Sequence, residues 1–279
     1  MKISFCSIVF NEAPTLRAHL EHLYPHAHQL IVCEGSIQLL RRVAGAPLRS
    51  DDGTLDLLHE FYDPDRKLHV IQRDWRDKNQ MAVAYAELAS GDLIWHVDAD
   101  EFYDTHSLEA IPVEFDDPDL FTLNVPMYVF WKSPDFVLAN EHGQDRWFRY
   151  ARVLRRTPGM SVQHLPIRRL VNGRVDTLGM RDASDPRITA YHYAWNHDDR
   201  VRLKMQLYAR RDGRTTRPDW LAQVWDRWTP DCPNADWPDG VHPSTLWRLW
   251  PRRFTGRHPH CVQGLLDRFD LLTPAGRAV

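Results

Sequence analysis

Cysteine is scarce in this chain: four in 279 residues, Cys6, Cys33, Cys232 and Cys261, with no CxxC pair among them. A disulfide framework is therefore not expected, and Cys6 and Cys33, which lie inside apolar runs, are read as buried free thiols. Long hydrophobic runs are missing too. No segment offers the roughly 20 apolar residues needed to span a bilayer. The N-terminal MKISFCSIVFNEA is broken by Ser4, Ser7 and Asn11, without a signal peptide's long apolar core or small-residue cleavage site. A cytoplasmic protein is the expectation. Internal repeats and low-complexity segments are absent, as are the tightly spaced His/Asp clusters of a metal-dependent hydrolase.

What is present is an ordinary globular composition, 43% apolar and 26% charged, long enough to bury a real core in one large domain or two small ones. The net charge of −3 hides an asymmetry. Residues 1–145 carry 11 Lys+Arg against 25 Asp+Glu, or −14; residues 146–279 carry 24 against 13, or +11. Such a split fits a contact with something anionic, or the two halves packing on each other. Arginines interleaved with tryptophans keep nucleic acid or a phosphorylated acceptor in view.

Over the first 130 residues two kinds of segment alternate. Short apolar, β-branched runs at Ile3–Phe10, Gln29–Cys33, Leu68–Gln72 and Leu93–Val97 predict strands. Pro14–Tyr24, Thr54–Tyr62 and Asn79–Ser90 have helical spacing, the first opening on a proline and the last stopping at Gly91. This alternation predicts a parallel sheet with helices on its faces, whose ligands bind at the carboxyl ends of the strands. Leu120–Trp131, Arg146–Arg156 and Ile188–Trp195 predict longer strands, and Asp198–Arg211 a basic helix carrying Arg200, Arg202, Lys204, Arg210 and Arg211. From Pro218 onward a Trp-, Pro- and Arg-rich tail predicts irregular structure with short helices.

Polar and acidic groups recur where each early strand ends: Asn11-Glu12, Glu34-Gly35-Ser36, Arg73-Asp74 and Asp98-Ala99-Asp100-Glu101. On an extended backbone residues i and i+2 point the same way, so Asp98 and Asp100 can reach one divalent ion. Oxygen ligands suit Mg²⁺ or Mn²⁺, which commonly bridge to substrate phosphates. A solvated loop or a helix cap would use the same residues without chemistry.

Taken together, ISFCSIVFNEAPTL, IVCEGS, SDDGT at Ser50–Thr54 and HVDADEF resemble a GT-A type, family-2-like glycosyltransferase. The resemblance implies an α/β fold, a Rossmann-like mixed sheet flanked by helices with an irregular helical C-terminal part. It divides the chain into a nucleotide-sugar-binding part at 1–130 and a basic, acceptor-binding part at 131–279 that continues from it. It implies a UDP-linked or related nucleotide-sugar donor across the sheet edge, with Phe10, Asn11, Glu12 and Glu34 at base and ribose, and Lys78 and Asn79 near ribose or phosphate. Asp98 and Asp100 would hold Mn²⁺ or Mg²⁺, with Asp98 also near the donor, and a late histidine, His192 or His197, would join them. The family's acidic base maps to Glu141 or Asp145. A departure stands at Glu34, where Asp is usual and where an insertion separates Glu34-Gly35-Ser36 from Ser50-Asp51-Asp52-Gly53-Thr54.

Trp131, Trp147 and Trp195 are candidate stacking platforms for a sugar or base, with core packing as their alternative. Other readings remain open: a glycosyltransferase acting on modified bases of DNA, a nucleotidyltransferase, and a non-catalytic nucleic-acid-binding protein. Nucleotidyltransferases usually carry a Gly-rich basic loop after the first strand, where this chain has Asn11-Glu12-Ala13-Pro14. An acidic first half is hard to reconcile with a simple nucleic-acid binder.

Overall fold

The computed structural model describes residues 1–164, 167–211 and 216–272. The alternating N-terminal pattern becomes β1 (Ile3–Val9), α1 (Ala13–Leu23), β2 (Gln29–Glu34), α2 (Gln38–Ala44), α3 (Thr54–Glu60), β3 (Leu68–Gln72), α4 (Lys78–Leu88) and β4 (Leu93–His96). Then come β5 (Glu101–Tyr103), α5 (Thr105–Glu114), β6 (Thr122–Trp131), β7 (Ser133–Ala139) and β8 (Phe148–Arg155). Short strands follow at β9 (Ser161–Gln163), β10 (Arg168–Val171), β11 (Arg174–Val175) and β12 (Met180–Asp182). The chain closes with β13 (Ala190–Trp195), α6 (Asp198–Arg211), β14 (Trp250–Arg253) and a 3₁₀ stretch at His260–Phe269.

Several elements go beyond the sequence expectation. The insertion after Glu34 forms α2, closed by Gly45 in the left-handed region at φ 64°. Asp104, part of the acidic run, caps α5: its side chain accepts from the Ser107 N–H at 2.7 Å. Pro112, which cannot donate an i→i−4 bond, lies in the last turn of that helix, which ends two residues later at Glu114. β5 begins at Glu101, so the acidic run itself turns back into a strand.

The chain forms two compact units, neither contiguous in sequence: Met1–Pro126 with Arg149–Ala190 and Pro259–Val262, and Met127–Phe148 with Tyr191–His258 and Gln263–Val279. In the first unit β4, β1, β2 and β3 lie side by side, all parallel, and β8 runs antiparallel on β4. This is the mixed α/β sheet expected from the sequence. β1, β2 and β4 are buried on both faces, which is why they read as continuous apolar runs rather than as alternation, whereas β3 at the sheet's edge is half-exposed. The face of α4 carrying Met81, Ala82 and Tyr85 packs on Cys6, Ile31, Cys33 and Ile94, and β9 with Ile167 covers the same cluster through Val162. Cys6 and Cys33 are buried free thiols.

Part of the charge asymmetry is taken up by pairing within this unit. Arg152 binds Glu101, and Arg181 binds both Glu114 and Asp117 at 3.1 Å, so arginines of the basic half neutralise acids of the other. Arg155 donates to the carbonyls of Phe115, Asp117 and Leu120.

In the second unit β7 pairs antiparallel with β14 and β6. Trp131, Trp195, Trp220, Trp225 and Trp228 form one aromatic cluster, with centroids 5.1 to 6.1 Å from one ring to the next. Lys132 is buried beside it, its ammonium donating to the carbonyls of Trp225 and Trp228 and lying 4.7 Å over the Trp225 ring. Trp131 and Trp195 are thus core residues. Trp147 differs: it is 42% exposed and packs edge-on against Trp247 at 4.9 Å. On α6, Arg202 is held by Asp198 and Asp226, and Lys204 lies 4.8 Å over Trp195. The side chain of Arg211 lies outside the described residues.

Candidate functional site

The parallel register sets the site. Val9 pairs with Glu34, and Glu34 with Gln72, so β1, β2 and β3 end level; β4 is in register with β1 through Cys6 and His96. The residues after these strands therefore share one edge of the first unit.

At that edge the chain makes a connection the sequence left open. Although α2 is inserted, Ser50–Thr54 returns to the end of β1. The Asn11 N–H donates to Ser50 Oγ at 2.9 Å, the Glu12 N–H to Thr54 Oγ1 at 2.8 Å and the Ala13 N–H to Asp52 Oδ2 at 3.0 Å. Asn11 and Asp51 exchange a further pair of bonds, Asn11 Nδ2 to Asp51 Oδ1 at 2.9 Å and Asp51 N–H to Asn11 Oδ1 at 3.0 Å. Three amides at the start of α1, which would otherwise lack acceptors, are satisfied by side chains from 39 to 42 residues away in sequence. Asn11 adopts φ 53°, a left-handed conformation that Asn tolerates better than most residues.

Glu34 anchors this return. Its side chain is fully buried; Oε1 accepts from the Ser50 N–H at 2.8 Å and Oε2 from Gln72 Nε2 at 3.0 Å, with Arg49 Nε 3.8 Å away. Gly35 makes room for the approach: at φ +127° a Cβ would come within 3.0 Å of the Leu48 carbonyl. Phe10 and Glu12 flank the junction, Phe10 half-buried and Glu12 buried.

The Asp-x-Asp segment opens away from β4. Asp98 Oδ1 lies 3.2 Å from His96 Nε2, and Asp98 Oδ2 lies 3.4 Å from Arg152 Nη2. Arg152 also grips Glu101 with both Nε, at 2.9 Å, and Nη2. Burial pushes the Asp98 carboxyl up, but His96, Arg152 and Lys78 together hold it well below the usual carboxylate range. Asp98 is thus an anion at neutral pH. Asp100 is buried, at 7% exposure, and its charge is felt by His19 on α1.

Lys78 opens α4, which Asp77 caps by accepting from the Gln80 N–H at 2.8 Å. Asn79, expected near ribose or phosphate, uses its side-chain oxygen otherwise: it accepts from the His164 backbone N–H at 2.8 Å. This bond, with β9 packed on α4, brings His164 over His96, ring centroids 5.2 Å apart. His96, Asp98 and His164 each offer a ligand atom, all within 4.8 Å of one another. His164 Nδ1 is buried without a hydrogen-bond partner among the described residues. An anionic carboxylate beside two imidazoles and an unsatisfied buried nitrogen suits a divalent cation. Sequence reasoning chose Asp98 here but missed both histidines. The alternation around β4 could have pointed to His96, two residues before Asp98 and so on its side of the strand; nothing in the sequence pointed to His164.

The expected residues of the second unit lie as follows. His192 is on β13, half-buried. Glu141 and Asp145 lie on the turn between β7 and β8, which Asn140 organises by accepting from the His142 and Gln144 N–H groups at 3.0 and 2.9 Å. Glu141 is solvated, 3.9 Å from Arg248, whereas the less exposed Asp145 is 3.8 Å from Arg252.

His19 gives this unit a pH dependence. It is fully buried on α1, with Nε2 3.0 Å from Ser7 Oγ. Burial, with His22 beside it, lowers its pKa to about 4. Between an ordinary value near 6.5 and that value the unfolded chain holds a proton that the folded one does not. Stability therefore falls as pH drops through this window. The expected loss from His19 is about 3 kcal/mol by pH 4. Urea unfolding at stepped pH checks it: His19→Gln is expected to flatten the slope between pH 6.5 and 4, and an unchanged slope would refute the assignment.

Residues 49–169 match the family Glycosyl transferase family 2. The match starts at the returning Ser50–Thr54 segment and includes Asp98, Arg152 and His164. No curated protein matches the chain. Among solved structures, S. aureus TarS is 18% identical, with 46% of this chain and 22% of that one covered and a TM-score of 0.36. Its residues 1–349 in complex with UDP-GlcNAc give 18% identity, 47% and 35% coverage and a TM-score of 0.36. Glucosyl-3-phosphoglycerate synthase from Mycobacterium tuberculosis, with Mn²⁺, UDP and glucosyl-3-phosphoglycerate, gives 12% identity, 46% and 44% coverage and a TM-score of 0.33. The chain thus spans less than half the length of each of these structures.

Proposed function

We propose that this chain, with its glycosyl transferase family 2 match over residues 49–169, is a metal-dependent glycosyltransferase that moves a sugar from a UDP-linked donor to an acceptor nucleophile. The observation that carries the reading is the shared carboxyl edge of the parallel strands β1, β2 and β4, where Glu34 ends β2 and Asn11 and Asp98 follow β1 and β4. Such an edge is where open α/β sheets bind nucleotides.

On this reading the donor's base and ribose lie along Phe10, Asn11, Glu12 and the Ser50–Thr54 segment. Glu34 acts there as the anchor of the segment, since both its oxygens are taken. Lys78 places a cation beside the diphosphate. Asp98 and Asp100 are the proposed carboxylates for Mn²⁺ or Mg²⁺, with His192 as the further ligand expected from the sequence. Bound there, the ion would supply Lewis-acid stabilisation of the charge that develops on the departing diphosphate. For the acceptor's proton the carboxylates proposed are Glu141 and Asp145.

Incubation of the protein with Mn²⁺ and a panel of nucleotide-sugars, with measurement of released nucleotide diphosphate, tests the reading. Turnover or slow hydrolysis of a UDP-sugar is expected. Neither binding nor release with any donor would sink it.

A further inference from the structure

We infer that Asp98, with one ring nitrogen each from His96 and His164, forms a nitrogen-rich site for a divalent transition-metal ion, a donor set that Asp-x-Asp does not contain. This donor set is an alternative to Asp98 with Asp100, and the inference rests on Asp98 as a metal ligand, not on sugar transfer. Three observations carry it.

The first is convergence from separate elements. His96 ends β4, Asp98 follows it, and His164 follows β9, yet their ligand atoms all lie within 4.8 Å. The second is preorganisation. His96 is 1% and His164 6% exposed. The His96 ring is oriented from its far side, with Nδ1 3.3 Å from the Tyr85 hydroxyl and Nε2 on the Asp98 side. A hydrogen-bonded second nitrogen is the usual companion of a metal-binding imidazole. His164 is fixed through its backbone bond to Asn79 at 2.8 Å, leaving Nδ1 buried and without a hydrogen-bond partner among the described residues. A buried polar atom of this kind is costly unless something meets it.

The third is the division of the Asp98 carboxylate. Oδ2 faces Arg152, which Glu101 already neutralises, while Oδ1 faces His96. Lys78 adds positive charge nearby. A hard ion such as Mg²⁺ wants several oxygens and would find only one carboxylate here, opposed by a lysine. Two imidazoles and one carboxylate instead favour ions such as Zn²⁺ or Co²⁺.

Co²⁺ titration of the full chain, without any donor, tests this through visible d–d absorption. One Co²⁺ per chain is expected, displaced by Zn²⁺ but not by a roughly hundredfold excess of Mg²⁺. His164→Leu is expected to weaken Co²⁺ binding by about 10-fold or more while the thermal melt stays close to wild type. Unchanged Co²⁺ affinity in that variant, or ready displacement by Mg²⁺, would overturn the site. Should the variant fail to fold, Cu²⁺ EPR of the wild-type chain decides. Superhyperfine splitting from two nitrogens is expected, and its absence refutes the inference. Because no nucleotide-sugar enters these measurements, a silent donor panel beside a positive titration would remove only the transfer reading, and the reverse only this site.

Discussion

Arg152→Ala is expected to cost about 3–5 kcal/mol of stability, the range for removing one partner of a buried ion pair. The arginine is 8% exposed and the Glu101 side chain not at all. Glu101 sits at the start of β5 and takes both Nε and Nη2 of Arg152, while Asp98 lies 3.4 Å from Nη2. Alanine would leave a desolvated carboxylate in the core with its guanidinium gone, and a second carboxylate close by.

The loss should come from the stranded charge rather than from the missing contact. Arg152→Met combined with Glu101→Leu is therefore expected to recover most of it, because an apolar pair of similar volume avoids the desolvation cost of both ions. Arg152→Lys should recover little, since an ammonium cannot reproduce the two-pronged grip. Urea unfolding at neutral pH measures all three. A loss below about 1 kcal/mol for Arg152→Ala would mean that water reaches Glu101.

Asp98→Asn is expected to lower kcat/KM by about 10³-fold with any donor the protein turns over. Asn keeps the shape and removes the charge. Asp98 is 28% exposed, so the fold has less at stake there than at Glu101. The substitution leaves Arg152 gripping Glu101 but takes the anion away from His96 and from any bound cation. The expected pattern is a large kinetic loss with a small change in melting temperature, read by steady-state kinetics beside a thermal melt. Asp100→Ala tests the second carboxylate by the same two measurements. Full activity in Asp98→Asn would show that the residue serves the fold alone.

The contrast between these two arginine and aspartate positions explains what the acidic run was for. LIWHVDADEFYD reads as four carboxylates of one kind. In the structure they have different fates: Asp98 faces His96 and Arg152, Glu101 is an internal counter-ion, and Asp104 is a helix cap. Local pattern could place the run at a strand end but could not divide it, because Arg152 enters from β8, 51 residues beyond Glu101. The charge asymmetry between halves has the same explanation. It is real in the sequence, and Arg152 and Arg181 neutralise part of it by pairing inside the first unit.

The insertion after Glu34 shows the other side. The motif Ser50-Asp51-Asp52-Gly53-Thr54 was legible, but its distance from Glu34 made its place at the site uncertain. The fold closes that gap with α2 and with the buried Glu34 carboxylate, which binds the Ser50 N–H directly. Likewise three tryptophans looked equivalent as stacking platforms. Packing buried Trp131 and Trp195 and left Trp147 exposed, a choice that depends on which face of each strand meets the rest of the second unit.

By itself the sequence determined the parallel α/β sheet, the strand ends that carry polar groups, and Asp98 and Asp100 as the carboxylates to watch. These follow from apolar periodicity and from the way a buried strand must end where charge begins, both local properties of the chain. The tertiary structure alone decided that His96 and His164 meet at Asp98, that Arg152 neutralises Glu101, and that Ser50–Thr54 completes the start of α1. Each of these joins segments tens of residues apart, and short-range pattern carries no information about which distant side chain will supply the missing charge or hydrogen bond.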